Sequence, residues 1–240
     1  MSIVRHAGNP VPPRVVSAET MYRTICELGI VPFFENPIPG FSIEEMTPQE
    51  HWFDGDDIVR TPWDWKIEAV QSGEIAYGKF LWGGKAAFAT TEWYRELMNW
   101  RRSLPKYQPD EAQQRILDFL AENGTVSIRQ VRELLGVKKG PADAQITRLM
   151  MQCRVVTGDI TRVYRGEDLH YNGWQVSSFC TPEALFELTP DPLPGPPGFP
   201  FEAFSLHVNH PPEESLRRLT AHIREIVPEA EEKSVLKMLG

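Results

Sequence analysis

Apolar residues between positions 109 and 181 recur at helical spacing in three successive segments. The first segment ends at Asn123-Gly124, a pair typical of a helix C-terminus. The second begins at Ser127, three residues before Gln130, and this spacing matches a capping box, in which each side chain binds the other residue's free backbone N–H. The third follows a short turn, and Pro141 suits its first position because a helix leaves that position without a hydrogen-bonded N–H. The pattern therefore predicts three helices.

Two runs of β-forming residues follow the third helix, at positions 155–164 and 174–179. A polar turn that ends at Asn172-Gly173 separates them, which predicts a β-hairpin. Three helices followed by a hairpin are typical of a winged helix-turn-helix domain, here over residues 107–187. Such domains commonly place the third helix in the major groove of DNA, although many contact only protein. The pattern therefore predicts double-stranded DNA as a partner and leaves a protein-interaction module open.

The polar face of the third predicted helix carries side chains that can hydrogen-bond base edges. The spacing i, i+3 and i+7 places three of them opposite the apolar stripe: Gln145, Arg148 and Gln152. Four cations nearby are the expected phosphate contacts: Arg129, Lys138, Lys139 and Arg162. These seven residues form the predicted DNA-binding set.

Charge is unevenly distributed along the chain. Residues 126–166 hold eight basic and three acidic side chains, a net charge of +5, whereas the whole chain carries −8. This contrast would attract a phosphate backbone to this segment and away from the others. The predicted tip of the hairpin, Gly166-Glu167-Asp168, is acidic, which argues against the hairpin as a DNA contact.

The pattern of residues 1–106 predicts an α+β domain. Helices are expected to begin at Ser17, at Pro62 and near Glu92. Between the last two, apolar runs on either side of Gly83-Gly84 predict an antiparallel hairpin. The predicted fold class is therefore α+β, with this N-terminal domain followed by the winged helix-turn-helix domain.

Aromatic and cationic residues interleave in the N-terminal half. Such a mixture could stack a displaced base and hold its phosphates, as enzymes that act on nucleobases require. The candidate aromatic pocket comprises five residues: Trp63, Trp65, Tyr77, Lys79 and Trp93. The same pattern also fits an aromatic core covered by the aliphatic stems of surface cations, and the composition favours this alternative.

The last part of the chain, residues 188–240, combines a proline-rich stretch with a helix. Six prolines between positions 189 and 200 predict a stiff, extended spacer. Apolar residues at helical spacing predict a helix over residues 213–227 and a short final turn over residues 235–239. This region completes the predicted division into residues 1–106, 107–187 and 188–240.

Composition excludes several classes of protein. No apolar run approaches the length of about 18 residues that a membrane span needs, and the N-terminus lacks the apolar core of a signal peptide, so we expect a cytoplasmic protein without a membrane partner. The three cysteines, Cys26, Cys153 and Cys180, are widely spaced, which argues against a disulfide framework and a zinc site. The last two are expected to behave as core residues. No metal or cofactor is predicted.

Several short stretches carry a resemblance to a bacterial family. They are IPGFSIEE (38–45), EHW (50–52), PWDWK (62–66), GEIAYGKF (73–80), KAAF (85–88), EWY (92–94), GW (173–174) and TPE (181–183). In these stretches the chain resembles the AlkZ-related proteins, over roughly residues 19–186. That family is grouped distantly with the AlkZ and YcaQ winged-helix DNA glycosylases, which excise alkylated or crosslinked bases. The resemblance implies a winged-helix, DNA-associated protein with a role in repair.

The resemblance does not extend to the catalytic motif or to the tandem of three winged helices. The glycosylases position water with a Gln-apolar-Gln or Gln-apolar-Asp triplet, and four glutamines lack the partner two residues on: Gln49, Gln71, Gln145 and Gln175. No catalytic residue is assigned. If the chain is nevertheless a glycosylase-like enzyme, four carboxylates are candidates for activating water: Glu44, Glu45, Asp64 and Glu74. The first expectation is a DNA-binding protein, and the alternatives are such an enzyme or a protein-interaction module.

Overall fold

The computed structural model describes residues 14–52, 61–186 and 206–240. This part of the chain mixes α-helices with small antiparallel sheets, which confirms the predicted α+β class. The helices are α1 (Ala18–Leu28), α2 (Ile43–Met46), α3 (Pro62–Gln71), α4 (Thr91–Ser103), α5 (Glu111–Asn123), α6 (Ile128–Leu135), α7 (Lys139–Met151), α8 (Pro182–Phe186), α9 (Pro212–Ile226) and α10 (Glu232–Leu239). The strands are β1 (Ile30–Pro32), β2 (Ile75–Leu81), β3 (Lys85–Thr90), β4 (Val126–Ser127), β5 (Val156–Arg165) and β6 (His170–Cys180). No helix in the described residues is long and apolar enough to cross a membrane.

The N-terminal sheet has the strand order β1-β3-β2, and both pairings are antiparallel. β2 and β3 form the predicted hairpin. Their connection, Trp82–Gly84, is a single 3-10 turn in which Gly83 and Gly84 both have a φ of +65°. Because glycine adopts positive φ without steric cost, the Gly-Gly pair allows the chain to reverse here. We call this segment the Trp82 turn.

The first helix starts and stops where the sequence predicts. The hydroxyl of Ser17 accepts the backbone N–H of Thr20 at 3.1 Å, and the helix ends at Gly29 with a φ of +69°. Gly29 also lies against the Trp93 side chain, since a Cβ at this position would be 2.2 Å from the indole Cδ1. The glycine therefore allows both the helix stop and the approach of α4.

Residues 110–180 form a unit of three helices and a sheet, which we call the helix–hairpin unit. Its elements follow the order α5, β4, α6, α7, β5 and β6, and its sheet has the strand order β4-β6-β5. Capping boxes begin two of the helices, Asp110 with Gln113 for α5 and the predicted Ser127 with Gln130 for α6. Its buried core includes Ile116, Leu120, Val131, Ala142, Ile146 and Leu149.

The third helix of this unit begins earlier than predicted. α7 starts at Lys139, and Lys138 is its N-cap in an extended conformation, so Pro141 lies within the first turn instead of opening it. A proline is tolerated throughout this turn because the first N–H groups of a helix have no intrahelical acceptor. The prediction from the proline alone was therefore two residues late.

The hairpin is longer than predicted. β6 begins at His170, so Asn172-Gly173 lies inside the strand and the reversal occurs before it. The register changes along the hairpin, since Arg162 faces Gln175 whereas Tyr164 faces Tyr171, and this irregularity accommodates the positive φ of Gly173. The Asn-Gly pair thus marks a bulge, a common position for glycine in a strand.

The described elements pack in three hydrophobic clusters. The largest joins the N-terminal sheet to α1, α4, α9 and α10, the second is the core of the helix–hairpin unit, and the smallest, formed by Ile67, Val70 and Ile160, lies between α3 and β5. Between them, α7 lies against β2 and β5 lies against α3, while α9 packs along α4. Cys153 and Cys180 are buried, as predicted. α10 replaces the short turn predicted over residues 235–239.

One feature of the prediction, the proline-rich spacer at residues 189–200, lies outside the described residues.

Candidate nucleic-acid interface

Three cations of the predicted DNA-binding set are exposed around α7. Lys138 and Lys139 lie at the start of the helix, and Arg148 lies on its outer face together with Gly140 and Ala144, at a spacing of four residues. Within the described residues, none of the three cations has a carboxylate partner. Because Gly140 has no side chain and Ala144 only a methyl group, the helix backbone is accessible beside Arg148.

The two glutamines of the set bond to α5, and Gln152 is buried while Gln145 is partly exposed. Gln152 is only 5% exposed, and its amide donates to Gln113 Oε1 at 2.7 Å and to the Gln108 carbonyl at 3.3 Å. Gln113 in turn donates to Gln145 Oε1 at 3.1 Å. The expectation that Gln152 reads base edges is therefore wrong, because α5 places a buried polar side chain against the end of α7. Arg148 is the member of the predicted reading face that remains fully accessible.

Arg162 is paired with Asp64 of α3 and does not project into solvent as a phosphate contact. Its Nε and Nη2 atoms donate to the two Asp64 oxygens at 3.0 and 2.5 Å, and Tyr171 donates its hydroxyl to the same carboxylate at 2.8 Å. Asp64 is 2% exposed, and its hydrogen bond raises the pKa of the Arg162 guanidinium. A bidentate pair of this kind is strong and directional. It fastens the hairpin to α3 and corrects the prediction for Arg162.

The remaining predicted phosphate contact, Arg129, is exposed and pairs with Glu133 at 3.0 Å. The two residues lie one helical turn apart on α6. Surface pairs at this spacing contribute little free energy, so the guanidinium can exchange its carboxylate for a phosphate. Arg129 therefore stays in the candidate interface.

A buried lysine lies beside the Asp64–Arg162 pair. The Lys66 ammonium donates to Gln175 Oε1 at 2.6 Å and to the Trp63 carbonyl, and the residue is 8% exposed. Burial lowers the pKa of Lys66 to about 8, although the nearby Asp64 carboxylate acts in the opposite direction. Nothing in the sequence pattern distinguished this lysine, because its neighbours on the hairpin are more than 100 residues away along the chain.

The five residues of the predicted aromatic pocket do not line one cavity, so this prediction is wrong as a set. Trp65 is buried beside His51, with ring centroids 5.4 Å apart. Tyr77 packs on Phe88 at 4.8 Å, whereas Lys79 is exposed on the same strand. Burial raises the pKa of the Tyr77 hydroxyl. These residues fit the alternative of an aromatic core with a cation at its surface.

Trp93 belongs to a different contact, between α4 and α9. Its indole stacks on the His222 imidazole with ring centroids 3.7 Å apart and an interplanar angle of 11°. His222 Nε2 lies 2.9 Å from the Leu28 carbonyl, which requires the imidazole to donate from this nitrogen. Desolvation lowers the pKa of His222. The stack therefore holds the C-terminal region onto the body of the protein.

Trp63, the last member of the set, lines a cleft of about 480 Å³ together with Trp52. The two indoles meet edge to face, with centroids 5.5 Å apart and an angle of 79°, and Trp63 is 45% exposed. The other lining residues are Glu35, Glu44, Glu45, Thr47 and Gln49. The cleft thus combines aromatic walls with carboxylates. Trp63 was predicted for an aromatic pocket, and Glu44 and Glu45 were predicted as candidate carboxylates.

The two candidate carboxylates of the cleft are committed to local hydrogen bonds. Glu44 accepts the backbone N–H of Glu35 at 2.9 Å. Glu45 accepts the N–H of Gly40 and the hydroxyl of Ser42, both at 2.6 Å. These bonds shape the loop that carries them. The remaining oxygen of Glu44 is therefore the least constrained acceptor of the two side chains.

The other two candidate carboxylates are also engaged. Asp64 binds Arg162 and Tyr171 as described, and Glu74 accepts the hydroxyl of Tyr22. This hydrogen bond raises the pKa of Tyr22. Neither carboxylate lines the cleft, so the structure does not bring the four candidates together.

A buried carboxylate that the sequence did not indicate joins α4 to α9. Glu96 is fully buried, and one of its oxygens accepts the Ser215 hydroxyl at 2.6 Å and lies 2.7 Å from His210 Nε2. Its other oxygen lies 2.7 Å from the Arg218 guanidinium. Asn99 completes the group by donating to Ser215 at 2.9 Å. Because the partners come from a distant part of the chain, no local pattern could reveal the network.

The outer face of the hairpin exposes apolar side chains. Trp174 and Val176 are 57% and 55% exposed, and Leu169 near the tip is 69% exposed. The guanidinium of Arg165 stands 5.2 Å from the Trp174 ring. Strand alternation explains the arrangement, since the opposite face of β6 carries the residues that contact α3. Among the described residues there is no group of three metal-ligating side chains.

The comparison with known proteins identifies one family. No curated protein and no solved structure matches the chain. A family model described as AlkZ related matches residues 15–240. This match spans nearly the whole chain, including the cleft, the helix–hairpin unit and both C-terminal helices. The chain therefore belongs to the AlkZ-related family.

Proposed function

We propose that the helix–hairpin unit is a winged helix-turn-helix and that the protein binds double-stranded DNA in connection with base repair. The order helix, strand, helix, helix, strand, strand and the sheet order β4-β6-β5 support the first part of the proposal. Membership of the AlkZ-related family supports the link to repair.

The observation that carries the proposal is the group of cations around α7. Lys138, Lys139 and Arg148 are exposed and lack carboxylate partners in the described residues, although the chain as a whole is acidic. In a helix-turn-helix protein, the outer face of the second helix of the motif enters the major groove, and α7 is the corresponding helix here. Arg148 would then meet base edges or phosphates, and the two lysines would meet the backbone at the helix start.

Binding to labelled oligonucleotides tests the proposal. The fluorescence anisotropy of duplex, abasic and single-stranded oligonucleotides is measured at 50 and 200 mM salt, with Arg148→Ala and the control Arg23→Gln. We expect duplex binding that weakens steeply with salt, because each phosphate contact changes the slope of log K against log salt by about 0.9. Arg148→Ala should weaken binding, whereas Arg23→Gln, which removes an exposed arginine of α1, should not. Absence of binding, or binding independent of salt, would favour a protein-interaction module.

A second candidate function, excision of a damaged base, is favoured by the cleft that Trp52 and Trp63 line. An extruded base commonly stacks on aromatic side chains, and this cleft offers an exposed indole, Trp63, beside a carboxylate rim. The test is release of free base from a methylated duplex, followed by chromatography. Release that Trp63→Ala abolishes would support the enzyme, and no release from a duplex that the protein binds would contradict it.

A further inference from the structure

Two lysines from distant parts of the chain surround one indole beside α7. Lys85 Nζ lies 4.5 Å from the centroid of the half-buried Trp82 ring, and Lys237 Nζ lies 5.7 Å from it. Lys85 opens β3 and Lys237 lies on α10, and both are exposed. The two ammonium groups are therefore at most about 10 Å apart. This upper limit is slightly larger than the Debye length of about 8 Å at physiological salt.

The charges of this pair stay unpaired in the part of the chain that the structure describes. Neither lysine forms an ion pair within the described residues, and Lys85 donates to a backbone carbonyl, that of Glu35, at 3.1 Å. The acidic residues of α10, Glu231 and Glu232, lie at the helix start, more than one turn from Lys237. Two like charges held near each other repel, and a bound anion would relieve this repulsion.

The position of the pair relates it to the outer face of α7. The Trp82 turn contacts the helix at Thr147, because a Cβ at Gly84 would lie 3.1 Å from Thr147 Cγ2. Ala144 lies in the middle of the outer face of α7, Thr147 lies at one edge of this face, and Arg148 lies toward the other edge. The nearest acidic side chain of the helix, Asp143, is only partly exposed. The exposed face of α7 thus has an arginine on one side and the lysine pair on the other.

We infer that Lys85, Lys237 and Trp82 form a second phosphate-binding site for the DNA that α7 contacts. A helix in the major groove has a phosphate backbone on each side, and this site supplies cations on the side away from Arg148. The inference rests on the proposed DNA binding and extends the interface beyond the helix–hairpin unit. The Trp82 turn, which packs on α7, and α10, which contacts that turn, then contribute directly to binding.

The salt dependence of duplex binding tests the inference. We compare the unmodified protein with Lys85→Gln/Lys237→Gln, with Lys237→Gln alone and with Lys233→Gln, which removes the same charge one turn earlier on α10. Glutamine keeps an aliphatic stem against Trp82, so folding is preserved. The slope of log K against log salt is negative, and we expect the double variant to reduce its magnitude by about 1.8, the value for two lost phosphate contacts, Lys237→Gln alone to reduce it by about 0.9, and Lys233→Gln to leave it unchanged.

The outcomes separate the inference from the proposed function. One outcome overturns the lysine site but leaves DNA binding intact. In it, Arg148→Ala weakens duplex binding, whereas the double variant has no larger effect than Lys233→Gln. Absence of duplex binding by the unmodified protein overturns both. A weaker salt dependence of duplex binding that is seen with the double variant and not with Lys233→Gln supports the site.

Chemical protection provides a measurement that needs no variant. The protein is treated with an amine-acetylating reagent, with and without duplex DNA, and the modified lysines are quantified by mass spectrometry. We expect Lys85 and Lys237 to lose reactivity when DNA is added, while Lys233 stays reactive. Equal reactivity of Lys85 and Lys237 with and without bound DNA would overturn the inference, as would equal protection by poly-glutamate at the same concentration of charge.

Discussion

Single residues with distant partners determine how the hairpin is attached to the rest of the protein. Asp64 is buried and receives three hydrogen bonds from Arg162 and Tyr171 of the hairpin. Lys66, two residues later, donates to Gln175 on the same hairpin. Asp64 therefore bonds to both strands of the hairpin and Lys66 to β6, so these two charged side chains of α3 hold the hairpin in place.

Replacing Asp64 tests this assignment. We expect Asp64→Asn to lower the free energy of unfolding by about 3 kcal/mol, because the Arg162 guanidinium loses its bidentate partner in a largely buried position. The double variant Asp64→Asn/Arg162→Gln should be less destabilised than the sum of the two single variants. Urea denaturation of the four proteins measures the coupling. Additive effects would show that the pair contributes nothing as a unit.

His222 makes the attachment of α9 sensitive to pH. Its folded-state pKa is lowered by desolvation, whereas the unfolded chain has the ordinary value of about 6.5, so the unfolded state binds the proton more tightly. The stabilising effect of the neutral imidazole is therefore present above about pH 6.5 and is lost as the pH falls through and below this value.

The corresponding experiment compares unfolding at pH 7.5 and pH 5.5 for the unmodified protein and for His222→Gln. We expect the unmodified protein to lose more stability over this interval than the variant does. Equal losses would mean that another group causes the acid sensitivity.

At the scale of elements, α7 has two polar sides with different roles. Gln145 and Gln152 face α5 and bond to Gln113, while Arg148 faces outward. A helical wheel cannot separate these sides, because it shows which residues share a face and not which neighbour covers that face. The contact with α5 decides that the glutamines hold the fold.

A pair of substitutions separates the two roles. Gln152→Ala removes one hydrogen bond to Gln113 Oε1, which still accepts the Asp110 N–H at 3.0 Å, so we expect a loss of about 1 kcal/mol in unfolding free energy and unchanged DNA affinity per folded molecule. Arg148→Ala should show the reverse, with weaker DNA binding and unchanged stability. Thermal unfolding and anisotropy titrations provide both readouts, with the exposed Gln114→Ala as the control for stability. Weaker DNA binding by fully folded Gln152→Ala would restore Gln152 to the interface.

At the scale of the whole molecule, the C-terminal helices are part of the folded body. α9 packs along α4, and the buried Glu96 connects the two through Ser215, His210 and Arg218. α10 in turn contacts the Trp82 turn, where Lys237 approaches the indole. The end of the chain therefore reaches the surface beside α7.

Removal of the Glu96 charge tests the importance of this connection. We expect Glu96→Gln to destabilise the protein by about 1 to 3 kcal/mol, because the buried position loses the carboxylate that accepts the Ser215 hydroxyl and faces Arg218, whose side chain is 36% exposed. It should also accelerate cleavage of the C-terminal region in limited proteolysis. The control is Glu92→Gln, an exposed carboxylate on the same helix. Equal proteolysis of both variants would show that packing alone holds α9.

The sequence by itself determined the elements whose cause is local. The capping boxes, the glycine stops and the alternation of apolar residues predicted α1, α6, the β2–β3 hairpin and the helix order of the helix–hairpin unit, since each depends on neighbours within a few residues. The outward position of Arg148 was also predicted, because a charged residue opposite an apolar stripe faces outward, and Lys138 and Lys139 were predicted in the turn that precedes the helix.

Only the tertiary structure decided which polar side chains are free to meet a ligand. Gln152, Arg162 and Lys66 are committed to Gln113, Asp64 and Gln175, and Trp93 to His222, through contacts between elements far apart in the chain. The Trp52–Trp63 cleft and the lysines around Trp82 arise in the same way. A sequence pattern predicts local geometry, whereas the hydrogen-bond partner of a polar side chain depends on which elements pack against each other in the folded core.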